Sequence, residues 1–209
     1  HYLFNSKAYK GNLKNPNWYC DENYDPLIKI LIEYDNVLGR LMKMDDYKII
    51  VATGLHQQVH EKLTFYWRIN KHKEFIEKIG ITNFSEILPR MSRDFLMNFE
   101  NIDEAKIAEN ILNSFYSSSD KLKIFNVDNR GKSIFIELIY PKDLTTDSTI
   151  ISEEYDLIIE NFKSYVSFVA IKNGAHNGMG YLASNFKTKL PLKIKLKEVN
   201  GFIKSTLKI

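Results

Sequence analysis

Two histidines stand where an α/β fold would place a reactive group. His56 follows the run Tyr47-Lys48-Ile49-Ile50-Val51-Ala52 across Thr53-Gly54-Leu55. His176 follows an apolar run over residues 165–172, inside Asn173-Gly174-Ala175-His176-Asn177-Gly178-Met179-Gly180. Imidazole titrates near neutrality, so it serves as a general base or, when neutral, as a metal ligand. Neighbouring glycines let the backbone approach a ligand closely. In open α/β sheets ligands gather beyond the carboxyl ends of strands, and both loops are expected there. His56 and His176 are therefore the candidate metal ligands. The competing reading makes each a polar residue in a tight turn.

His56 and His60 are four apart, but Gln57 stands where the zinc-protease motif HExxH has its glutamate. That motif's general base is missing, which argues against a metalloprotease. Arg90 and Arg93, in Pro89-Arg90-Met91-Ser92-Arg93-Asp94, are of the residue type that clamps an oxyanion with two parallel hydrogen bonds. With Lys172 and Asn173, at the end of the second apolar run, they form the candidate substrate contacts. More often such arginines form a solvated rim or an internal salt bridge. Asp128 and Arg130 lie in Val127-Asp128-Asn129-Arg130-Gly131, where turn chemistry alone favours Asp, Asn and Gly. Phe65-Tyr66-Trp67, flanked by Lys62, Arg68 and Lys71, could stack on bases, but a half-buried strand needs the same letters. Neither a GxxxxGK[ST] phosphate loop nor a GxGxxG turn is present.

The elements that must position these residues follow from periodicity. Asp25-Pro26 starts a helix, with Asp25 as N-cap and Pro26 at the first helical position. Leu27, Leu31, Tyr34, Leu38 and Leu41 follow at helical spacing to about Met44, a stripe expected to face a core. The run at 47–52 is apolar on both faces, as a central strand covered by helices should be. Residues 62–69 predict a strand, and Asn70 to Gly80 a short helix. Residues 93–99 alternate, with Phe95, Met97 and Phe99 on one face. Asn101 opens a helix with Ala105, Ala108, Ile111, Leu112 and Phe115 on its stripe. Strands near 122–127 and 133–140 flank a hairpin-like turn. A surface loop is expected over 141–152, a helix over 153–162, a buried strand over 165–172, and an amphipathic helix over 193–209. The fold class is α/β, a sheet flanked by helices with a small α+β insertion of β-α-β-β order. Residues 1–83 and 142–209 are assigned to the α/β core and 84–141 to the insertion.

The 209 residues can bury a sizeable core, and 44% hydrophobic with 26% charged residues is ordinary for a globular chain. The net charge of +3, from 29 basic and 26 acidic residues, gives no basic excess that would point to nucleic acid. Cys20 is the single cysteine, so no internal disulfide forms, and a Cys-based zinc site needs more thiols than this. One thiol fits a reducing compartment, and the cytoplasm is the expected location. No apolar run approaches the ~20 residues of a membrane span, so a membrane is not an expected partner. The chain opens on His1 rather than Met, and is expected to be a trimmed or partial chain.

One arrangement resembles a known family. Asp35-Asn36-Val37-Leu38-Gly39-Arg40-Leu41, then the strand KIIVAT, then Thr53-Gly54-Leu55-His56 and the later Gly174-Ala175-His176, resemble the alkaline phosphatase superfamily of phosphatases, phosphodiesterases and sulfatases. There a helix carrying D-x-x-x-G-x-L precedes a strand and a metal-binding S-D-H-G loop, and a later glycine-flanked histidine supplies another ligand. Leu55 stands where that loop has its aspartate, and no residue here matches the family's Ser/Thr nucleophile. The resemblance therefore implies the C-terminal part of a larger fold, inactive alone or lacking a complete dimetal site. It implies a divalent ion (Zn or Mn) on His56 and His176, with Asp21 and Asp25 as further carboxylates and Arg90 or Arg93 against a small anionic ester. The alternative is a non-catalytic binding or interaction module. A third reading, an RNA-binding β-α-β-β unit, requires Phe95 and Phe99 to be exposed.

Overall fold

The computed structural model describes residues 1–189 and 191–208. In chain order the elements are α1 (Pro26–Met42), β1 (Ile50–Ala52), β2 (His56–Ile69), α2 (His72–Lys78), β3 (Glu86–Pro89), β4 (Asp94–Asn98), α3 (Ile102–Ser114) and β5 (Tyr116–Ser117). There follow β6 (Phe125–Asn129), β7 (Ser133–Leu138), β8 (Ile150–Ser152), β9 (Leu157–Ile159), β10 (Val166–Asn177), β11 (Leu182–Ser184) and α4 (Leu196–Leu207). The mixed α/β class holds. None of the described helices is long and apolar enough to cross a membrane. The chain divides into two compact units, residues 1–62 with 173–209, and residues 63–172.

The second unit is built on an antiparallel sheet of order β3-β4-β7-β6. Burial alternates strictly along β4 and β7, so one face of the sheet is apolar. Register pairs Phe95 with Ile136 and Met97 with Ile134 on that buried face. α3 is capped by Asn101, whose side chain accepts from the Glu104 amide at 2.9 Å. Its stripe of Ala105, Ala108, Ile111 and Leu112 is buried, as the spacing predicts. Phe75 of α2 packs on Phe125 and Phe162 with ring centroids 5.7 Å away in each case. Gly80, at φ +85°, closes α2 in the left-handed region where a side chain is strained. Phe95 and Phe99 are core residues, which removes the stacking pair the RNA reading requires.

Residues 153–162, expected as a helix, form a hairpin instead. β8 and β9 pair antiparallel, Ile150 opposite Ile159 and Ser152 opposite Leu157, and β5 adds a third strand. Asp156 at φ 50° and Asn161 at φ 47° adopt left-handed conformations that end any helical run. Ser152 anchors the turn, its Oγ sharing a 2.6 Å hydrogen bond with Ser114 Oγ. The expected loop at 141–152 therefore ends in a strand.

In the first unit Asp25 caps α1, accepting from the Ile28 amide at 3.0 Å, and Pro26 stands in the first turn. Asp25 also accepts from the Lys7 amide at 2.9 Å and the Ser6 hydroxyl at 3.1 Å. Burial works to raise its pKa, but these donors outweigh it and hold the carboxyl below its usual range. The stripe of α1 does not face a core. No residue of the helix is buried, and Leu31 and Tyr34 are 50% and 62% exposed. The run at 47–52 is likewise not a covered central strand. β1 spans three residues, is half-exposed, and pairs with β11 alone among the described residues. Periodicity reports which side of an element is apolar, and packing decides whether anything lies against it.

Candidate functional site

Neither histidine sits in a loop. His56 is the first residue of β2, and His176 lies one residue from the end of β10; the two strands pair with each other. Gly174 lies inside β10, where it sits close to the Gln57 side chain. A Cβ built there would lie 2.8 Å from Gln57 Oε1. Gln57 Nε2 is 2.7 Å from His176 Nδ1, joining the two histidine-bearing segments through residues 119 apart. Gln58 and Asn177 repeat the link at 3.2 Å.

His56 is half-buried and its Nδ1 lies 2.9 Å from the Met179 carbonyl oxygen. A carbonyl only accepts, so Nδ1 carries the proton and Nε2 of the neutral ring holds the lone pair. The ring leans against Tyr181, centroid to centroid 5.7 Å. Tyr181 and Thr53 fasten the end of β1, with the Thr53 amide donating to the Tyr181 carbonyl and the Tyr181 amide to Thr53 Oγ1, both at 2.9 Å. Gly180 is obligatory at this crossing, because a Cβ there would overlap the Thr53 carbonyl.

His176 is exposed, and its Nδ1 faces an amide that offers either a donor or an acceptor according to its rotation. With Nε2 of Gln57 presented, Nδ1 accepts. With Oε1 presented, Nδ1 donates and Nε2 holds the lone pair. His60 lies four residues along the strand from His56, a rise of about 13 Å, so β2 cannot bring those two rings to one ion.

Among the described residues no group of three or more His, Cys, Asp or Glu side chains gathers as a metal-binding set. Catalytic zinc takes three protein ligands, so the described residues do not close such a site. Asp25 is committed as a cap, and Asp21 accepts from the Asn23 amide at 2.7 Å. Cys20 is buried, and burial followed by the carboxylates of Asp21 and Asp25 pushes its thiol upward, away from thiolate chemistry.

The candidate substrate contacts separate by environment. Asn173 is fully buried, and its Oδ1 accepts from the Phe4 amide at 3.0 Å and from Asn15 Nδ2 at 2.9 Å. Its own Nδ2 donates to Asn15 Oδ1 at 2.8 Å, so the side chain ties the N-terminal segment to β10. Lys172 is half-buried on the same strand. In the second unit, Arg93 forks onto Glu137 Oε1 at 2.8 and 3.1 Å and lies 4.3 Å above the Tyr66 ring. Arg90 is exposed, in the β3–β4 turn where its amide donates to the Asp94 carbonyl at 2.9 Å. Of the aromatic run, Phe65 and Trp67 are core, and Lys163 sits 3.6 Å over the Trp67 ring. Sequence reasoning missed Gln57 and Met179 as partners of the histidines. Their only signal is adjacency to His56 and His176, because the β2–β10 pairing leaves no local pattern.

No family model, curated protein or solved structure matches the chain.

Proposed function

We propose that this chain supplies a pair of histidine ligands, His56 and His176, to a metal-dependent hydrolase of small phosphoric or sulfuric esters in the cytoplasm. The observation that carries the reading is how each ring is held. His56 donates from Nδ1 to a backbone carbonyl, the support that metal-bound imidazoles use to fix their tautomer. His176 has the Gln57 amide at the same nitrogen, on the strand that pairs with its own. The His56 arrangement presents Nε2 to a ligand, and the His176 arrangement does so when the Gln57 amide turns its Oε1 toward Nδ1. Two imidazoles are fewer than a catalytic ion requires, so such an ion would need further donors beyond these two. The metal would supply charge stabilisation at the ester, and no nucleophile is assigned within this chain.

Calorimetric titration with zinc and with manganese tests this reading. Binding that is lost in both His56→Ala and His176→Ala supports it. Equal binding in all three proteins, or none in any, overturns it.

A second reading, a non-catalytic interaction module, is favoured by α1. Its seventeen residues bury none of Ile28, Leu31, Ile32, Tyr34 or Val37, an apolar surface of the kind that marks association. That reading predicts no metal binding, and self- or hetero-association in sedimentation velocity that Leu31→Glu abolishes.

A further inference from the structure

The charge of the chain is unevenly placed. Residues 187–208 carry seven lysines and one glutamate, a net +6, whereas the whole chain carries +3. The seven, Lys187, Lys189, Lys193, Lys195, Lys197, Lys204 and Lys208, are all exposed. Among the described residues the lysines in ion pairs are Lys71, Lys73, Lys106, Lys121 and Lys142, all outside this stretch. The cations also alternate with aliphatic side chains left in solvent. Leu192 is 99% exposed and Leu196 is 71% exposed. α4 then continues with Leu196, Val199, Ile203 and Leu207 on one face and Lys197, Lys204 and Lys208 along its flank, and buries none of them.

We propose that residues 187–208 form a peripheral anchor for an anionic lipid surface. The lysines complement the negative headgroups, and Leu192, Leu196 and the apolar face of α4 enter the boundary between headgroups and acyl chains. This is the composition of a helix that lies in the interface rather than crossing it. Lysine stems are long enough to keep their ammonium groups at headgroup level while the aliphatic neighbours sink. A polyanion such as nucleic acid fits less well. The stretch has no arginine to fork onto phosphates or bases, its one aromatic residue, Phe202, is half-buried, and exposed leucines contribute nothing to a phosphate backbone.

Co-sedimentation of the full chain with phosphatidylcholine vesicles, with and without phosphatidylserine, tests the anchor. Expected is binding that requires phosphatidylserine and weakens as salt rises. The triple variant K193Q/K195Q/K197Q should lower the partition coefficient on the order of a hundredfold, roughly fivefold for each lysine. The double variant L192S/L196S should lower it at every salt concentration, and these leucines are too exposed for their loss to unfold the chain. Absent binding, equal binding to both vesicle types, or variants that bind as the parent does would each overturn the proposal. So would binding to a labelled duplex oligonucleotide that the lysine variant loses and the leucine variant keeps, which would assign the charge to nucleic acid.

Discussion

Gln57 Nε2 and His176 Nδ1 lie 2.7 Å apart although 119 residues separate them. The contact turns two separate histidine segments into one structural feature, since Gln57 is also the neighbour of His56 on β2. It also specifies the nitrogen that each ring turns toward protein. His56 and His176 both use Nδ1; a bound ion would meet Nε2 of His56, and Nε2 of His176 only with the Gln57 amide turned to present Oε1.

That geometry makes a tautomer prediction. Long-range proton–nitrogen correlation spectra should show the His56 imidazole protonated on Nδ1, because the Met179 carbonyl can only accept. A predominant Nε2–H form of His56 would contradict the hydrogen bond. Replacing Gln57 by Leu should leave His56 unchanged while releasing His176. If the histidines bind metal, that variant should lose about 10- to 100-fold in affinity.

Asn173 is the polar residue with the most to lose. Asn173→Ala removes the acceptor of the Phe4 amide and the donor to Asn15 Oδ1 in a buried position, while Asn15 Nδ2 keeps Asn5 Oδ1. The expected destabilisation is about 1–3 kcal/mol or more, measured by urea unfolding. Asn173→Asp should be worse near neutral pH, because a carboxylate cannot donate to Asn15 Oδ1 and places a charge in a fully buried position. Little change in either variant would remove Asn173 as the tie between the N-terminal segment and β10.

His72 introduces a pH dependence. Its ring meets the Phe95 ring at 4.9 Å, and burial first, then the Arg68 guanidinium, depress its pKa below the ordinary value of 6.5. The unfolded chain thus takes up this proton more readily than the folded one. The contribution of His72 to stability is present above pH 6.5 and is lost as pH falls through its folded pKa. Unfolding free energies measured at pH 7 and pH 5 should show a smaller difference in His72→Gln than in the parent protein. An unchanged difference would place the acid sensitivity elsewhere.

Local signals carried the parts of the fold that need only neighbours. Asp25-Pro26 starts α1, Asn101 caps α3, and Asp128-Asn129-Arg130-Gly131 turns β6 into β7, with Gly131 at φ +87° and Asn129 Oδ1 accepting its amide at 2.9 Å. The alternation at 94–98 named the buried face of β4 for the same reason, since period and burial coincide when one side is covered. Such features depend on the chain within a few residues, where composition and spacing act directly.

Only the tertiary structure decided the rest. Residues 153–162 have helical composition, yet pairing of β8 with β9 and two left-handed residues hold them in a hairpin. His56 and His176 read as loop residues because glycine and polar neighbours suggest turns, yet both are drawn into strands by the pairing of β2 with β10. α1 has a core-facing pattern and no core against it. For the histidines the deciding interaction joins segments whose separation in sequence leaves no periodic trace. A residue's type tells which contacts it can make, and the rest of the fold selects among them.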